Sequence, residues 1–334
     1  MMSLLIWIVV ILAVITIVRV VRILELVGVL GGEKEEITDG DNTFNAWMMM
    51  VFLFVGLGGM AYFTLDAKKY LLPIAASKHG VVTDELLNIN FLLIAVIFVI
   101  TQILLFGFAY KYKYKKGEKA YFYHVNHTLE FIWTIIPTIV LGALIFYGLK
   151  VWNDIIAPAP KNAMVIEIYG KQFDWTVRYA GSDNSLGKSN FKRITDENPL
   201  GVMAEDGAST DDKITKELHL PVNTPILFIC HSRDVIHSVY LPHLRAQMNA
   251  VPGMTTQMVV EPTITTEEMR TITKNPKFDY VLLCNKVCGV AHYNMNMKVV
   301  IESADDFKRW YKKQPLVFQP VTMEADSAKA IAAK

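Results

Sequence analysis

The sequence predicts membrane helices followed by an all-β domain, and three observations carry that reading. Four long apolar runs fall within the first 152 residues. Beyond them the pattern changes to the two-residue alternation of half-buried strands. Late in the chain, one loop between two such strands gathers two Cys, one His and one Met between Cys284 and Met295.

Composition sets the outer bounds. The chain has 334 residues, 52% of them hydrophobic, and a mean hydropathy of +0.30. That is long enough for about two domains and too apolar for an ordinary soluble protein. With 33 basic and 32 acidic residues, it lacks the overall basic footprint of a nucleic-acid binder. Three cysteines exclude a disulfide-dense scaffold. One of them, Cys230, ends the apolar run Ile226 to Cys230 and reads as a buried core thiol.

The first run, Met1 to Val18, is uncharged, and Arg19, Arg22 and Glu25 follow it. A signal peptide carries its positive charge before the apolar stretch, so this order predicts a retained membrane helix. Asp41, Asn42 and Thr43 close a polar connector from Gly31 and offer side chains for capping the next helix. The second run spans Phe44 to about Leu65. Its Gly56, Gly58 and Gly59 would let another helix approach closely, and with no strand before them they fail the context of a phosphate loop. The third and fourth runs, Ile89 to Tyr110 and Leu129 to Trp152, each supply the roughly 20 residues that cross a bilayer. Between them lie Lys111, Lys113, Lys115, Lys116 and Lys119, the densest basic cluster in the chain. Positive charge in a short loop between two spans places that loop in the cytoplasm. The fourth helix then runs outward, Arg19 and Arg22 lie on the inner side, and the N-terminus lies outside.

After the short stiff linker Ala157 to Pro160, Val165 to Tyr179 reads as a strand with Phe173, Trp175, Val177 and Tyr179 on one face. Ser182 to Thr215 is a polar insertion holding Asp196, Glu197, Glu205, Asp206, Asp211 and Asp212, read as solvated loop. Such an acidic surface would also draw in a basic partner. Leu218 to His243 adds strands and four histidines, His219, His231, His237 and His243. Strands then flank the ligand-rich loop, from Phe278 to Leu283 and from Met295 to Ile301. Ala304 to Lys312 predicts a short amphipathic helix, and Ser327 to Lys334 a loose tail.

The loop itself reads C-N-K-V-C-G-V-A-H-Y-N-M. Thiolate, imidazole and thioether with no carboxylate among them favour copper over magnesium, calcium or manganese. Taken alone, the two Cys also fit a small disulfide. Zinc is the other metal reading, although Met is a poor zinc ligand. A single-copper loop of the cupredoxin sandwich has one Cys, so two Cys four apart suggest sulfurs bridging a pair of copper ions.

This segment resembles the CuA loop of cytochrome c oxidase subunit II. The resemblance implies a cupredoxin-like Greek-key β-sandwich after the helices. It also implies that Cys284 and Cys288 bridge a dinuclear copper centre, with His292, Met295 and the Lys286 backbone carbonyl as further ligands. The family has Glu where this chain has Lys286, which removes the side chain that reaches magnesium. Ser232 to Ser238 resembles the family segment bearing the other copper-binding imidazole, here His237. Downstream, Asn249 and Met254 stand where Asp and Arg are usual. Gly170 to Trp175, G-K-Q-F-D-W, resembles the aromatic segment that receives electrons from cytochrome c, with Phe173 in place of the usual Trp and Trp175 retained. His127 to Pro137 resembles the start of the family's second membrane helix, where Glu130 would sit near a proton-path entrance.

On this resemblance the chain divides into 1–85, two additional transmembrane helices, then 86–156, the family's helix hairpin, beginning to match near residue 90. Residues 157–315 form the CuA domain and 316–334 a tail. The implied function is electron transfer from cytochrome c through CuA to haem in subunit I, for oxygen reduction coupled to proton pumping. Expected partners are subunits I and III, a cytochrome c or cytochrome c domain, membrane lipid, and another respiratory complex through residues 1–85. The site has no activated nucleophile and no acid and base pair, which suits a relay within an enzyme. The expected location is a bacterial inner membrane with the C-terminal domain periplasmic. The alternatives are the CuA subunit of a membrane-bound nitric oxide reductase, a copper-free quinol oxidase subunit, and an assembly module whose Cys pair is a disulfide.

Overall fold

The computed structural model describes residues 2–30 and 38–318. The tail Ser327 to Lys334 and most of the Gly31 to Asn42 connector lie outside the described residues. The chain divides into two compact units, the first built from residues 1–69 and 93–125, the second from 70–92 and 126–334.

Four helices come first: α1 (Met2–Leu30), α2 (Asp39–Ala67), α3 (Lys78–Lys111) and α4 (His127–Ile155). The last three are long and apolar enough to cross a membrane. α2 starts earlier than the sequence suggested. Thr38, not Asn42 or Thr43, is its N-cap, and Asp41 closes a capping box back onto Thr38. Within the first unit α2 and the second half of α3 run antiparallel. Trp47 meets Tyr110 edge to face at 5.2 Å, and Phe52 meets Phe106 at 5.5 Å. A Cβ at Gly56, Gly58 or Gly59 would meet open space. The close helix approach expected there does not occur within this chain's described residues.

α3 begins about three turns before its apolar run because those polar turns dock on the β domain. The Asp84 carboxylate takes both Nε and Nη2 of Arg245 at 2.8 Å. Ser77 Oγ donates to the Leu244 carbonyl at 2.6 Å and accepts from the Gly80 amide. Residues just before α3 join the domain edge through Ala76 N to His243 O, 2.7 Å, and Thr263 N to Ala76 O, 2.9 Å.

The β domain has ten strands: β1 (Met164–Lys171), β2 (Asp174–Tyr179), β3 (Lys213–Thr215), β4 (Leu218–Pro221), β5 (Ile226–Ser232), β6 (His237–Leu241), β7 (Ala246–Ala250), β8 (Thr256–Val260), β9 (Tyr280–Cys284) and β10 (Asn296–Glu302). Helices α5 (Thr266–Thr273) and α6 (Ala304–Lys312) complete it. One sheet has the order β3-β2-β1-β5-β8 and the other β4-β10-β9-β6-β7. Pairing is antiparallel except for β1 with β5 and β4 with β10. Alternate residues from both sheets, such as Ile166, Ile168 and Phe228 against Leu218, Leu282 and Val299, form one buried core. Tyr179 pins the sheets together, its hydroxyl donating to the His219 carbonyl at 2.9 Å and accepting the His219 amide at 2.7 Å.

Two readings need correction here. Val165 to Tyr179 is not one strand but the hairpin β1–β2, paired from Ile166↔Tyr179 to Lys171↔Asp174. The Ser182 to Thr215 insertion is not all solvated loop, because it ends in β3 and buries Leu200, Val202, Ser209 and Asp212. The reason is Arg178, which points off the sheet into the insertion. It pairs with Glu167 at 2.6 Å and with Asp212 at 3.1 Å, and donates to the Gly187 carbonyl at 2.8 Å. Asp212 therefore leaves the surface acid set. α6 forms where the sequence placed it, Ser303 capping its first turn and Phe307 buried beside Tyr179.

Candidate metal centre

The ligand-rich loop is held at both ends by strand pairing. Leu283 of β9 faces Asn296 of β10, and the Cys284 amide donates to the Met295 carbonyl at 3.0 Å. β6 pairs with β9 on its other side, Val239 opposite Cys284, so His237 at the start of β6 arrives beside the loop. Backbone register thus brings together residues 47 apart in sequence.

Six donor atoms converge. Cys284 Sγ lies 3.8 Å from Cys288 Sγ, 3.8 Å from His237 Nδ1 and 3.3 Å from the Lys286 carbonyl oxygen. Cys288 Sγ lies 3.6 Å from His292 Nδ1 and 3.8 Å from Met295 Sδ. The ligand atoms of His237, Cys284 and Cys288 all fall within 4.8 Å of one another. All three cysteines are free, and 3.8 Å is far beyond the roughly 2.05 Å of an S–S bond. The disulfide reading of this pair is overturned. Burial, and then the neighbouring Cys284, push the Cys288 thiol up to about 11. A cation entering here must displace a proton. Soft, inward-facing donors with no carboxylate among them fit copper. Cys230 sits apart, wholly buried in β5, its thiol pushed up to about 12 by burial.

A surrounding layer fixes the donors. Asp234 Oδ1 lies 2.8 Å from His237 Nε2, which leaves Nδ1 facing the thiols in the manner of carboxylate–imidazole–metal sites. Burial alone would raise the Asp234 carboxyl. Hydrogen bonds from the Gln172 amide, His237 and the Val235 amide outweigh it and hold the carboxyl below its ordinary value. Gln172 ties both halves of the site. Its backbone N–H donates to Asp234 Oδ2 at 2.7 Å, and its side chain donates to the Cys288 carbonyl at 2.6 Å. Gly289, at φ +140°, lets this hairpin press on the loop. A Cβ there would come within 2.8 Å of the Phe173 ring and 2.9 Å of Gln172 Nε2.

Phe173 is partly buried against the domain core. Trp175 is wholly buried, its ring 5.8 Å from that of His237. Trp175 therefore offers no surface of its own, whereas its β2 neighbour Asp174 is partly exposed. The other histidines serve the fold. His219 stacks on Trp310 at 3.8 Å and lies 2.7 Å from Glu302. His231 lies 2.6 Å from Glu167, and His243 faces Phe278 and Tyr280. Glu130 is no part of this pocket. It occupies the first turn of α4, 3.3 Å from His127 Nδ1. Sequence reasoning missed Asp234 and Gln172, although both lie inside the short segments that drew attention to His237 and Phe173.

Membrane-length helices and a two-sheet domain with a sulfur-rich ligand pocket define a membrane-anchored protein of cupredoxin-like type. The model for the transmembrane domain of cytochrome c oxidase subunit II matches residues 66–151, and that for its periplasmic domain matches residues 164–304. The chain belongs to the cytochrome c oxidase subunit II family. The match begins at residue 66, well before the expected residue 90, and takes in the docked turns of α3. An alternative cytochrome c oxidase subunit 2 of Bradyrhizobium diazoefficiens is 32% identical over 267 residues, 79% of this chain and 91% of that protein. The cytochrome c oxidase subunit 2 of Cyberlindnera mrakii is 30% identical over 236 residues, 68% of this chain and 85% of its own. Among solved structures, the periplasmic domain of a Bradyrhizobium japonicum cytochrome oxidase subunit II is 22% identical. It covers 46% of this chain and 95% of that one, with a TM-score of 0.32. By its family, the chain is a cytochrome c oxidase subunit, a membrane protein with a periplasmic domain.

Proposed function

We propose that this subunit takes electrons from a cytochrome c and passes them, through a CuA centre, toward haem in subunit I, where oxygen is reduced to water and protons are pumped. The observation that carries the proposal is the convergence of six donor atoms around two free thiols 3.8 Å apart. Cys284, Cys288, His237, His292, Met295 and the Lys286 carbonyl would hold the copper. Copper held there would supply one-electron exchange.

The protein's own residues do the rest. Asp234 fixes the His237 tautomer. Gln172 and the β hairpin hold the loop so that the donors keep their places in both redox states. Phe173, adjacent to the loop, is the contact for the donor, and buried Trp175 is a bridge to His237. Lys286 offers its carbonyl and no magnesium-binding side chain. Glu130, at the start of α4 on the inner side, serves proton uptake. The setting is a bacterial inner membrane with subunits I and III as neighbours, and residues 1–85 as the anchor for a further respiratory complex.

Substituting Cys288→Ser in the full oxidase tests the core of this reading. The wild type should hold two coppers on this chain, with a near-infrared band and a mixed-valence spin resonance signal. The variant should lose both signatures and reduce haem from cytochrome c at least a hundredfold more slowly, a rate loss of about 2.7 kcal/mol or more. At most one copper and no mixed-valence signal in the wild type would overturn the proposal.

A further inference from the structure

The segment joining α3 to α4 contributes no donor to the metal centre, yet its composition is unusual. Five lysines lie between Lys111 and Lys119, and Glu118 is the sole acid before Glu130. Glu118 is itself paired to Lys115 at 3.2 Å, so most of the positive charge has no acid to neutralise it within the segment. Aromatic rings alternate with the cations. Tyr112, Tyr114, Tyr121, Phe122 and Tyr123 are each 62–87% exposed. Lys111 and Lys113 lie over the Tyr112 and Tyr110 rings at 5.3 and 4.7 Å.

A solvated loop explains the lysines but not the rings, because a contiguous run of exposed aromatics in water is costly and marks a contact surface. A protein-binding loop would explain the rings but has no need of so dense a cluster of one sign. Both features suit one environment. Aromatic rings concentrate at the headgroup level of a bilayer, and juxtamembrane lysines are drawn to anionic lipid. Chain connectivity supplies that environment, since membrane-length helices adjoin the segment on both sides.

We infer that Lys111 to Tyr123 is a binding surface for anionic phospholipid headgroups on the cytoplasmic membrane face, the side that its positive charge favours. The lysines engage lipid phosphates, and the rings seat among the glycerol and upper acyl carbons. The inference rests on α3 and α4 crossing the membrane, and is independent of the copper reading.

The test uses the whole oxidase in phosphatidylcholine membranes containing a photoactivatable phosphatidylglycerol, with a phosphatidylcholine analogue as control. Labelled peptides are mapped by mass spectrometry. The segment should label with phosphatidylglycerol in preference. Each lysine is worth about fivefold near an anionic surface, so Lys113→Gln, Lys116→Gln and Lys119→Gln together should cut the affinity for phosphatidylglycerol about a hundredfold and with it most of the preferential labelling. The same three positions changed to Arg should bind as the wild type does. Tyr121→Ala with Phe122→Ala should weaken labelling by both lipids. If protease digestion shows the Gln variant inserted in the wrong orientation, the Arg variant and the loss of preference in high salt decide instead. Equal labelling by the two lipids overturns the inference. So does competition by millimolar inorganic phosphate, which would mark a free-phosphate site, or the absence of labelling because a partner subunit covers the loop.

Discussion

Ile168 and Ile139 are the same amino acid used in opposite ways. In the β domain Ile168 is wholly buried between two sheets, whereas in α4 Ile139 leaves 67% of its surface open. The contrast extends to whole elements. Strands such as β5 bury every second residue, while the apolar cores of α3 and α4 bury none. Hydrophobicity alone therefore does not say where a side chain goes. Alternation predicts an interior made by the protein, and unbroken apolar length predicts one supplied by lipid or by partner helices. The β domain also buries charge, as Glu167, Arg178 and Asp212, and can do so only because each has a partner in place.

That contrast can be broken at several points. The largest effect is expected from Glu167→Ala, which leaves Arg178 buried beside a weakened partner set. It should cost about 3–5 kcal/mol, read as a lower unfolding midpoint of the full chain in detergent. An unmoved midpoint would mean that the trio is not a structural clamp. Next comes the matched isoleucine pair. Ile168→Ala should cost about 2–5 kcal/mol, and Ile139→Ala less than about 0.5 kcal/mol. Equal losses would abolish the distinction between the two regions.

Acid titration sharpens the comparison further. Burial would raise the Glu167 carboxyl, but the His231 hydrogen bond and the Arg178 charge outweigh it and hold it below 4.5. A carboxyl lowered on folding stabilises above its ordinary value and ceases to do so as pH falls through the folded one. Asp212 is raised, chiefly by burial, and contributes with the opposite sign. Glu167→Gln should therefore lose less of its remaining stability than the wild type between pH 5 and pH 3, windows of roughly the scale expected for carboxylate linkage. The smallest effect is at Thr265, whose side chain and that of Glu268 form a capping box on α5. Thr265→Ala should cost about 1 kcal/mol, and no measurable loss would show that α5 is held by its contacts with the domain, such as buried Met269 and the Thr266 bond to Ile301, rather than by its cap.

Much of this architecture was legible beforehand because periodicity and donor chemistry are local. The apolar runs announced the membrane-length helices, and the spacing of Cys284, Cys288, His292 and Met295 announced a shared pocket. What escaped depends on contacts distant in sequence. The polar turns of α3 from Lys78 look like a connector until Arg245 meets Asp84. Asp212 looks like one more surface acid until Arg178 is seen beneath the insertion. Gln172 looks like a turn residue, yet it reaches both Asp234 and Cys288. Periodicity gave β1 and β2 the same alternation and so hid the turn between them.

The clamp on the insertion has a wider consequence. Arg178 and Asp212 stand 34 positions apart, and a single guanidinium fastens the base of that excursion much as a covalent staple would, without any sensitivity to reductant. Between the fastened ends, loop length is thermodynamically cheap to alter, since doubling a loop adds only about 0.6 kcal/mol. A fluorescent tag or affinity peptide spliced beside the exposed Asp196 and Glu197 should leave both sheets in register. It would give a handle for isolating the subunit with whatever it binds.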